Sequence, residues 1–288
     1  MQGKRMASLL ISIAVIVLGV YLFFGLLLYF MQPTLLYYPV REVSYTPAEL
    51  GLAFDQVTFK SADGVKLSGW YIPGKSSDFT VLFCHGNGGN MMHCLDIINF
   101  LHNFGLNCFI FDYRGYGGSE GKASKEGTYL DAKAAYKWLT EEKKISADNI
   151  IVSGWSLGAS IAAHLAEKVK VGGLVVESAF TSYIEMGRKY YPYLPVRWFA
   201  RFNYSTIDYI KDVHCPVMII HSRDDEIIPF EFGLQLYEAA NEPKEFVETF
   251  GGHNDGFFTS NGIYNKAWAK WLKFLREDRR KTSHQQAF

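Results

Sequence analysis

Between Ile150 and Lys168 the chain reads IIVSGWSLGASIAAHLAEK. An apolar, β-branched run stops at Gly154 and a helical pattern begins almost at once, so a strand must turn into a helix with no intervening loop. A turn this tight brings the two backbones into close contact and needs small residues on both sides. Gly154 and Gly158 supply them, and Ser156 between them is lifted above the sheet edge. The helix start beneath it favours negative charge developing at that point. Read alone, Ser156 also suits an ordinary helix N-cap, so the rest of the chain must decide between the two roles.

The same alternation recurs along the chain. The pattern predicts strands over Val81–Cys84, Cys108–Phe111, Ile150–Gly154, Leu174–Val176, Val217–Ile220 and Phe246–Thr249. It predicts helices over Met92–Phe104, Lys125–Glu142, Leu157–Lys168, Phe230–Ala240 and Ile263–Arg276. In the second of these, Leu130, Ala134 and Trp138 recur at the spacing of one buried face. Strand–helix alternation of this length implies a mostly parallel central sheet with helices on both faces, an α/β fold. VTFKSADGVKLSGWYIP alternates apolar and polar residues on both sides of Asp63-Gly64, the signal of an antiparallel hairpin at the start of the sheet. About 250 of the 288 residues read as globular, enough for one large core or two small ones.

The N-terminus adds a separate constraint. After Lys4 and Arg5, the run from Ala7 to Met31 is apolar, and the next charge is Arg41. About 25 residues at ~1.5 Å each suffice to cross a ~30 Å hydrocarbon core with some tilt. A cleaved signal peptide would be shorter and end at a small-residue site, whereas this run exits through LLLYFMQP. The reading is an N-terminal transmembrane helix over 1–31, with Tyr29, Tyr37 and Tyr38 at the interface. Lys4 and Arg5 place the N-terminus in the cytoplasm and the globular domain on the opposite side. A connector carrying Pro33, Pro39 and Pro47 follows over 32–54. The catalytic domain spans 55–276, with a cap at about 178–215, and a polar, frayed tail occupies 277–288.

A serine hydroxyl needs a base, and the base needs a third group to orient it. On a strand–turn–helix elbow the chain order is serine, acid, histidine. Of the histidines after Ser156, His164 lies inside the following helix, His214 precedes a strand, His221 ends one and His284 is in the tail. His253, in GGHND just after the last strand, satisfies both the order and the loop position. The acid candidates are Asp224, Asp225 and Glu226 of HSRDDEIIP, with Glu177 as the alternative. An oxyanion needs two donors. One is the backbone N–H of Leu157, beside the nucleophile. The other comes from HGNGGN, where the Asn87 N–H is the first candidate and those of Gly86 and Gly88 are the alternatives. This loop lacks the lysine and spacing of a phosphate-binding P-loop.

The ordered set HGNGGN, FDYRGYGGSEG, GWSLG, SRDDEIIP and GGHND resembles the α/β-hydrolase superfamily. It looks most like the branch of small single-span serine hydrolases that includes abhydrolase-domain depalmitoylases and related bacterial hydrolases. The resemblance covers about Val43 to Leu275. It implies the acid at Asp225, with Ser222 standing where the family often has glycine. It implies a structural role for FDYRGYGGSEG, with Asp112 and Arg114 pinning the sheet edge.

Between Glu177 and Cys215 the cap segment is dense in Tyr190, Tyr191, Tyr193, Trp198, Phe199 and Phe202. Individually such rings pack a cap onto a sheet; together, beside a membrane helix, they suggest an apolar acyl group as ligand. Arg188, Lys189, Arg197 and Arg201 suit a phosphate, a carboxylate or plain solvation. The expectation is hydrolysis of an ester or thioester through Ser156, Asp225 and His253, with no metal or organic cofactor. A peptidase or acyltransferase would use the same residues, and a binding protein on this fold would usually break the triad. With a formal net charge of zero there is no electrostatic footprint for nucleic acid. The four cysteines, Cys84, Cys94, Cys108 and Cys215, have no metal-binding spacing, and Cys84 and Cys108 read as buried free thiols.

Overall fold

The computed structural model describes residues 2–75 and 78–285. Among the described residues there are ten strands and ten α-helices. The strands are β1 (Tyr38–Pro39), β2 (Asp55–Lys60), β3 (Lys66–Ile72), β4 (Thr80–Cys84), β5 (Gly88–Gly89), β6 (Asn107–Phe111), β7 (Ile150–Trp155), β8 (Gly173–Glu177), β9 (Val217–Ser222) and β10 (Lys244–Thr249). The helices are α1 (Gln2–Leu36), α2 (Leu95–Asn103), α3 (Lys125–Lys137), α4 (Leu157–Lys168), α5 (Tyr183–Tyr190), α6 (Val196–Phe199), α7 (Thr206–Tyr209), α8 (Phe230–Ala239), α9 (Gly256–Thr259) and α10 (Asn261–Gln285).

Eight strands form one sheet in the order β10-β9-β8-β7-β4-β6-β3-β2. All neighbours from β10 to β6 are parallel. The β2–β3 hairpin, turning at Asp63-Gly64, is antiparallel and joins the sheet through β6. Successive strand residues point to opposite faces, and the core divides accordingly. Leu82, Phe109, Val152, Val176 and Ile219 pack with α3, α4 and α8 on one face. Val81, Ile110, Ile151, Val175 and Ile220 pack with α2 and with Trp268, Trp271 and Leu275 of α10 on the other. With both faces covered, β4, β6 and β8 are buried at every position, which is why they read as unbroken apolar runs.

Several elements differ from the sequence expectation. The helix predicted from Met92 opens with a 3-10 turn over Met91–Cys94 before α2. The long helix from Lys125 ends its α-form at Lys137 and continues as a π turn over Trp138–Glu142. The innermost line of α3 is Thr128, Asp131, Ala132 and Ala135, beside the predicted Leu130, Ala134 and Trp138 line. Asp131 can be buried there because Arg114 pairs with it at 2.8 Å. The polar tail is helical to Gln285. Arg276 reaches Asp78 at 3.1 Å and Arg279 stacks on the Phe79 ring, so cationic side chains fasten the helix to the start of β4.

The N-terminal helix does not stop at Met31. It passes through Pro33 to Leu36. Gln32 explains the continuation: its side chain donates to the Phe199 carbonyl at 2.6 Å and accepts from the Arg201 N–H at 2.8 Å, so tertiary contacts outweigh the missing proline donor. The connector is therefore built into the domain. Tyr37, expected at a membrane interface, is instead buried, its hydroxyl 2.7 Å from that of Tyr204. The helix as a whole has one apolar stretch long enough to cross a membrane, and 6% of that stretch is buried.

Candidate active site

Ser156 sits at the end of β7 with φ 56° and ψ −119°. A non-glycine residue in this region is strained and persists only where the surroundings hold it. Two close approaches do so. A Cβ on Gly154 would collide with the Gly158 carbonyl group, and a Cβ on Gly158 would collide with the carbonyl oxygens of Cys84 and His85. The Ser156 N–H donates to the Glu177 carbonyl at 2.9 Å. Ser156 occupies the N-cap position of α4, yet its side chain makes no capping hydrogen bond. Its Oγ lies 3.2 Å from Nε2 of His253.

The other imidazole nitrogen, Nδ1, donates to Asp225 Oδ2 at 2.8 Å. That leaves Nε2 free to accept from the serine hydroxyl. Asp225 Oδ1 accepts from the N–H groups of Ile227 (2.9 Å) and Ile228 (2.7 Å). Burial opposes charge on Asp225, but its bond and charge interaction with His253, together with the two amides, outweigh it, and the carboxyl sits below its ordinary value. All three side chains are buried.

The acidic run divides its labour. Asp225 takes the imidazole, Glu226 Oε2 accepts from the His253 backbone N–H at 2.9 Å, and Asp224 Oδ2 accepts from the Gly251 N–H at 3.2 Å. Ser222 Oγ donates to the Gly251 carbonyl. The whole histidine loop thus hangs from the loop after β9. Trp155, the variable residue of GWSLG, stacks on the His253 ring with centroids 5.1 Å apart. Glu177, the alternative acid, does not hydrogen-bond to His253. It accepts from the Tyr264 hydroxyl, and burial pushes its carboxyl up to about 7.

Leu157 is the first residue of α4, so its N–H belongs to the turn of amides that has no partner within the helix. A Cβ on Gly86 would lie 3.8 Å from Cβ of Ser156, which puts the HGNGGN loop beside the serine. Asn87 is anchored through its other groups. Its side chain donates to the Leu36 carbonyl at 2.9 Å, and its own carbonyl accepts from the Tyr38 N–H (3.0 Å) and the Tyr116 hydroxyl (2.7 Å). The Val40 N–H donates to the Gly89 carbonyl at 2.9 Å, so β1 and β5 form a short parallel ladder.

Sequence reasoning missed these supports. FDYRGYGGSEG pins the sheet edge through Arg114, which bonds Asp131 and Asp63, and through Asp112, Ser119 and Glu120, which hydrogen-bond to the β3 backbone at Ser68 and Lys66. Three residues of that motif also serve the HGNGGN loop and its exit. Asp112 Oδ1 accepts from the Met91 N–H at 2.8 Å, Tyr113 donates to the His85 carbonyl at 3.0 Å and Tyr116 to Asn87. Two tyrosines beside an aspartate were the available signal. His85, its Nδ1–H on the Gly86 carbonyl, is held down to about 4 by burial and is neutral. His164 stacks on Tyr129 at 3.7 Å, far from this chemistry. The four cysteines are free thiols. Among the described residues no group of three or more His, Cys, Asp or Glu is arranged to hold a metal ion.

Comparison with known proteins agrees with this architecture. A family model described as the alpha/beta hydrolase fold matches residues 80–196. An Arabidopsis thaliana alpha/beta hydrolase domain-containing protein, WAV2, is 32% identical, the match covering 88% of this chain and 92% of the relative. A Mycobacterium tuberculosis relative, named only as uncharacterized, is 37% identical over 84% of this chain and 86% of its own. Among solved structures, an esterase from Pyrococcus furiosus superposes with a TM-score of 0.70 at 27% identity, covering 83% of this chain and 98% of the esterase. Fold and neighbours together support a hydrolase.

Proposed function

The chain belongs to the α/β-hydrolase superfamily, and on that premise we propose that it is a membrane-anchored serine hydrolase that cleaves esters or thioesters of apolar acyl groups. The observation that carries the reading is the unbroken hydrogen-bond chain from Asp225 through His253 to Ser156, residues brought together from 28 and 97 positions apart.

Ser156 Oγ attacks the acyl carbonyl while His253 Nε2 takes its proton. Asp225 holds the imidazole in the tautomer that leaves Nε2 free and stabilises the imidazolium that forms. Negative charge on the carbonyl oxygen falls on the N–H groups of Leu157 and Asn87, each worth about 3 kcal/mol in the transition state. The imidazolium then protonates the leaving alcohol or thiol, giving an acyl-serine. Water, deprotonated by His253, attacks that acyl group, and the carboxylic acid leaves as Ser156 recovers its proton. Residues 1–31 act as the anchor, and Lys4 and Arg5 favour a cytoplasmic N-terminus with the hydrolase domain on the opposite side.

The test is turnover of nitrophenyl esters and acyl thioesters by the full chain in detergent micelles, compared with His253→Ala. The reading expects hydrolysis by the wild type and a loss of roughly 10⁴-fold or more in the variant. Equal turnover by the two proteins, or none by the wild type on any ester or thioester, rejects it.

A further inference from the structure

Helix α1 and the cap touch along a considerable length. Tyr21 donates through its hydroxyl to the Tyr193 carbonyl at 3.0 Å. The Phe199 ring fills the notch at Gly25, where any Cβ would collide with it. Gln32 binds Phe199 and Arg201 as described above. Tyr21 and Gln32 are about 16 Å apart along a helix, and all but the last of that stretch belongs to the uncharged apolar run. The cap therefore lies beside the C-terminal half of α1, from Tyr21 to the exit of the apolar run.

The outer surface of the cap carries residue types suited to a bilayer interface. Trp198 is 85% exposed and Tyr193 71%, with Tyr190 and Tyr191 half exposed beside them. Arg188, Lys189, Arg197 and Arg201 flank these rings. Large exposed aromatics with long cationic side chains near them in the sequence suit a bilayer interface, where rings sit among headgroups and guanidinium tips reach the water.

Between α1 and the cap lies a cavity of about 420 Å³, walled by Leu28, Leu35 and Tyr38 on one side and Met186, Tyr190 and Val196 on the other. Its size falls within the ~300–1,000 Å³ of ordinary ligand sites. Two of its wall residues are hydrogen-bonded to the loops that carry the candidate oxyanion donor and the acid. The Tyr38 backbone is bonded to Asn87, and the Tyr190 hydroxyl donates to the Ile227 carbonyl at 2.6 Å, two residues from Asp225.

We propose that this cavity is the acyl-chain site, that the C-terminal turns of α1 form one of its walls, and that the chain of a bilayer-resident ester enters it sideways between α1 and the cap. The inference rests on the hydrolase reading and names the substrate class of that same site, a long acyl chain held in lipid. On this account α1 is part of the specificity apparatus as well as an anchor.

The test uses the full chain in phospholipid nanodiscs and compares kcat/KM for nitrophenyl palmitate and nitrophenyl butyrate. Leu28→Trp and Met186→Trp fill the cavity from opposite walls. Each is expected to lower the palmitate-to-butyrate ratio at least tenfold, with circular dichroism and thermal melts reporting an intact fold. A ratio unchanged in both variants overturns the acyl-site inference and leaves ester hydrolysis standing. No turnover of either ester by the wild type overturns both. A palmitoyl phosphonate with a photoreactive diazirine on its chain gives a second readout: crosslinks to α1 and α5–α6 support the site, and crosslinks confined to other segments overturn it.

Discussion

The backbone N–H of Tyr38 donates to the carbonyl oxygen of Asn87 at 3.0 Å. Tyr38 is the second residue beyond the apolar helix, and Asn87 lies in the loop offered as oxyanion donor. The segment leaving the helix is therefore a splint on that loop. It is reinforced by the Asn87 side chain on Leu36, and by the Asn90 side chain on Val40 (3.0 Å) and Glu42 (2.7 Å).

Removing the splinting donor should slow chemistry more than it weakens binding of a short-chain substrate, which does not fill the cavity walled by the Tyr38 side chain. Tyr38→Pro deletes the N–H and leaves the extended backbone, since proline suits an edge position. We expect kcat on a soluble butyryl ester to fall roughly tenfold with KM little changed, less than the ~10²–10³ lost when an oxyanion donor is removed outright. Steady-state kinetics check this, and an unchanged kcat argues that the splint is only structural.

Asp225→Asn should preserve the shape of the site and abolish its proton logic. The amide offers an N–H where the imidazole needs an acceptor, favouring the wrong tautomer. The expected loss is roughly 10⁴-fold in kcat, with circular dichroism unchanged. A loss below tenfold would transfer the orienting role to another carboxylate, Glu177 being the alternative named from the sequence.

Stability should fall with rising pH on account of Glu177. Burial raises its carboxyl from an ordinary 4.5 to about 7, against the lowering effect of the Tyr264 hydroxyl and of His253. The folded protein thus keeps a proton that the unfolded chain has released. The contribution is full below about pH 4.5 and is lost as pH rises through about 7, a difference of up to ~3 kcal/mol. Asp112, also raised by burial to about 6, tilts the curve the same way, so the informative quantity is the difference between wild type and Glu177→Gln. Thermal melts from pH 5 to pH 8 should show a shallower fall in the variant; parallel curves contradict the assignment.

The parts of this molecule that were legible in sequence are those fixed by local rules. Buried parallel strands such as β4 and β6 are apolar on both faces, so their centres are found within a residue or two. The elbow is legible because Gly154 and Gly158 touch backbone, and backbone contact tolerates no side chain. What escaped depends on contacts far apart in the chain. Nothing local to Gln32-Pro33 says that Phe199 and Arg201 will hold the helix together past a proline. Nothing local to Tyr37 says that Tyr204 waits for its hydroxyl. Asp224 and Glu226 read only as rival candidates for the acid, and nothing local to them says that the histidine loop hangs from both.

The central claim is that Ser156 is an activated nucleophile, and labelling by a fluorophosphonate tests it most directly. Intact mass should show one adduct on the wild-type chain and none on Ser156→Ala, both folded and detergent-solubilised. No adduct on the folded wild type, or an equal adduct on the variant, would contradict the account and move a non-catalytic binding role on a hydrolase fold to the front.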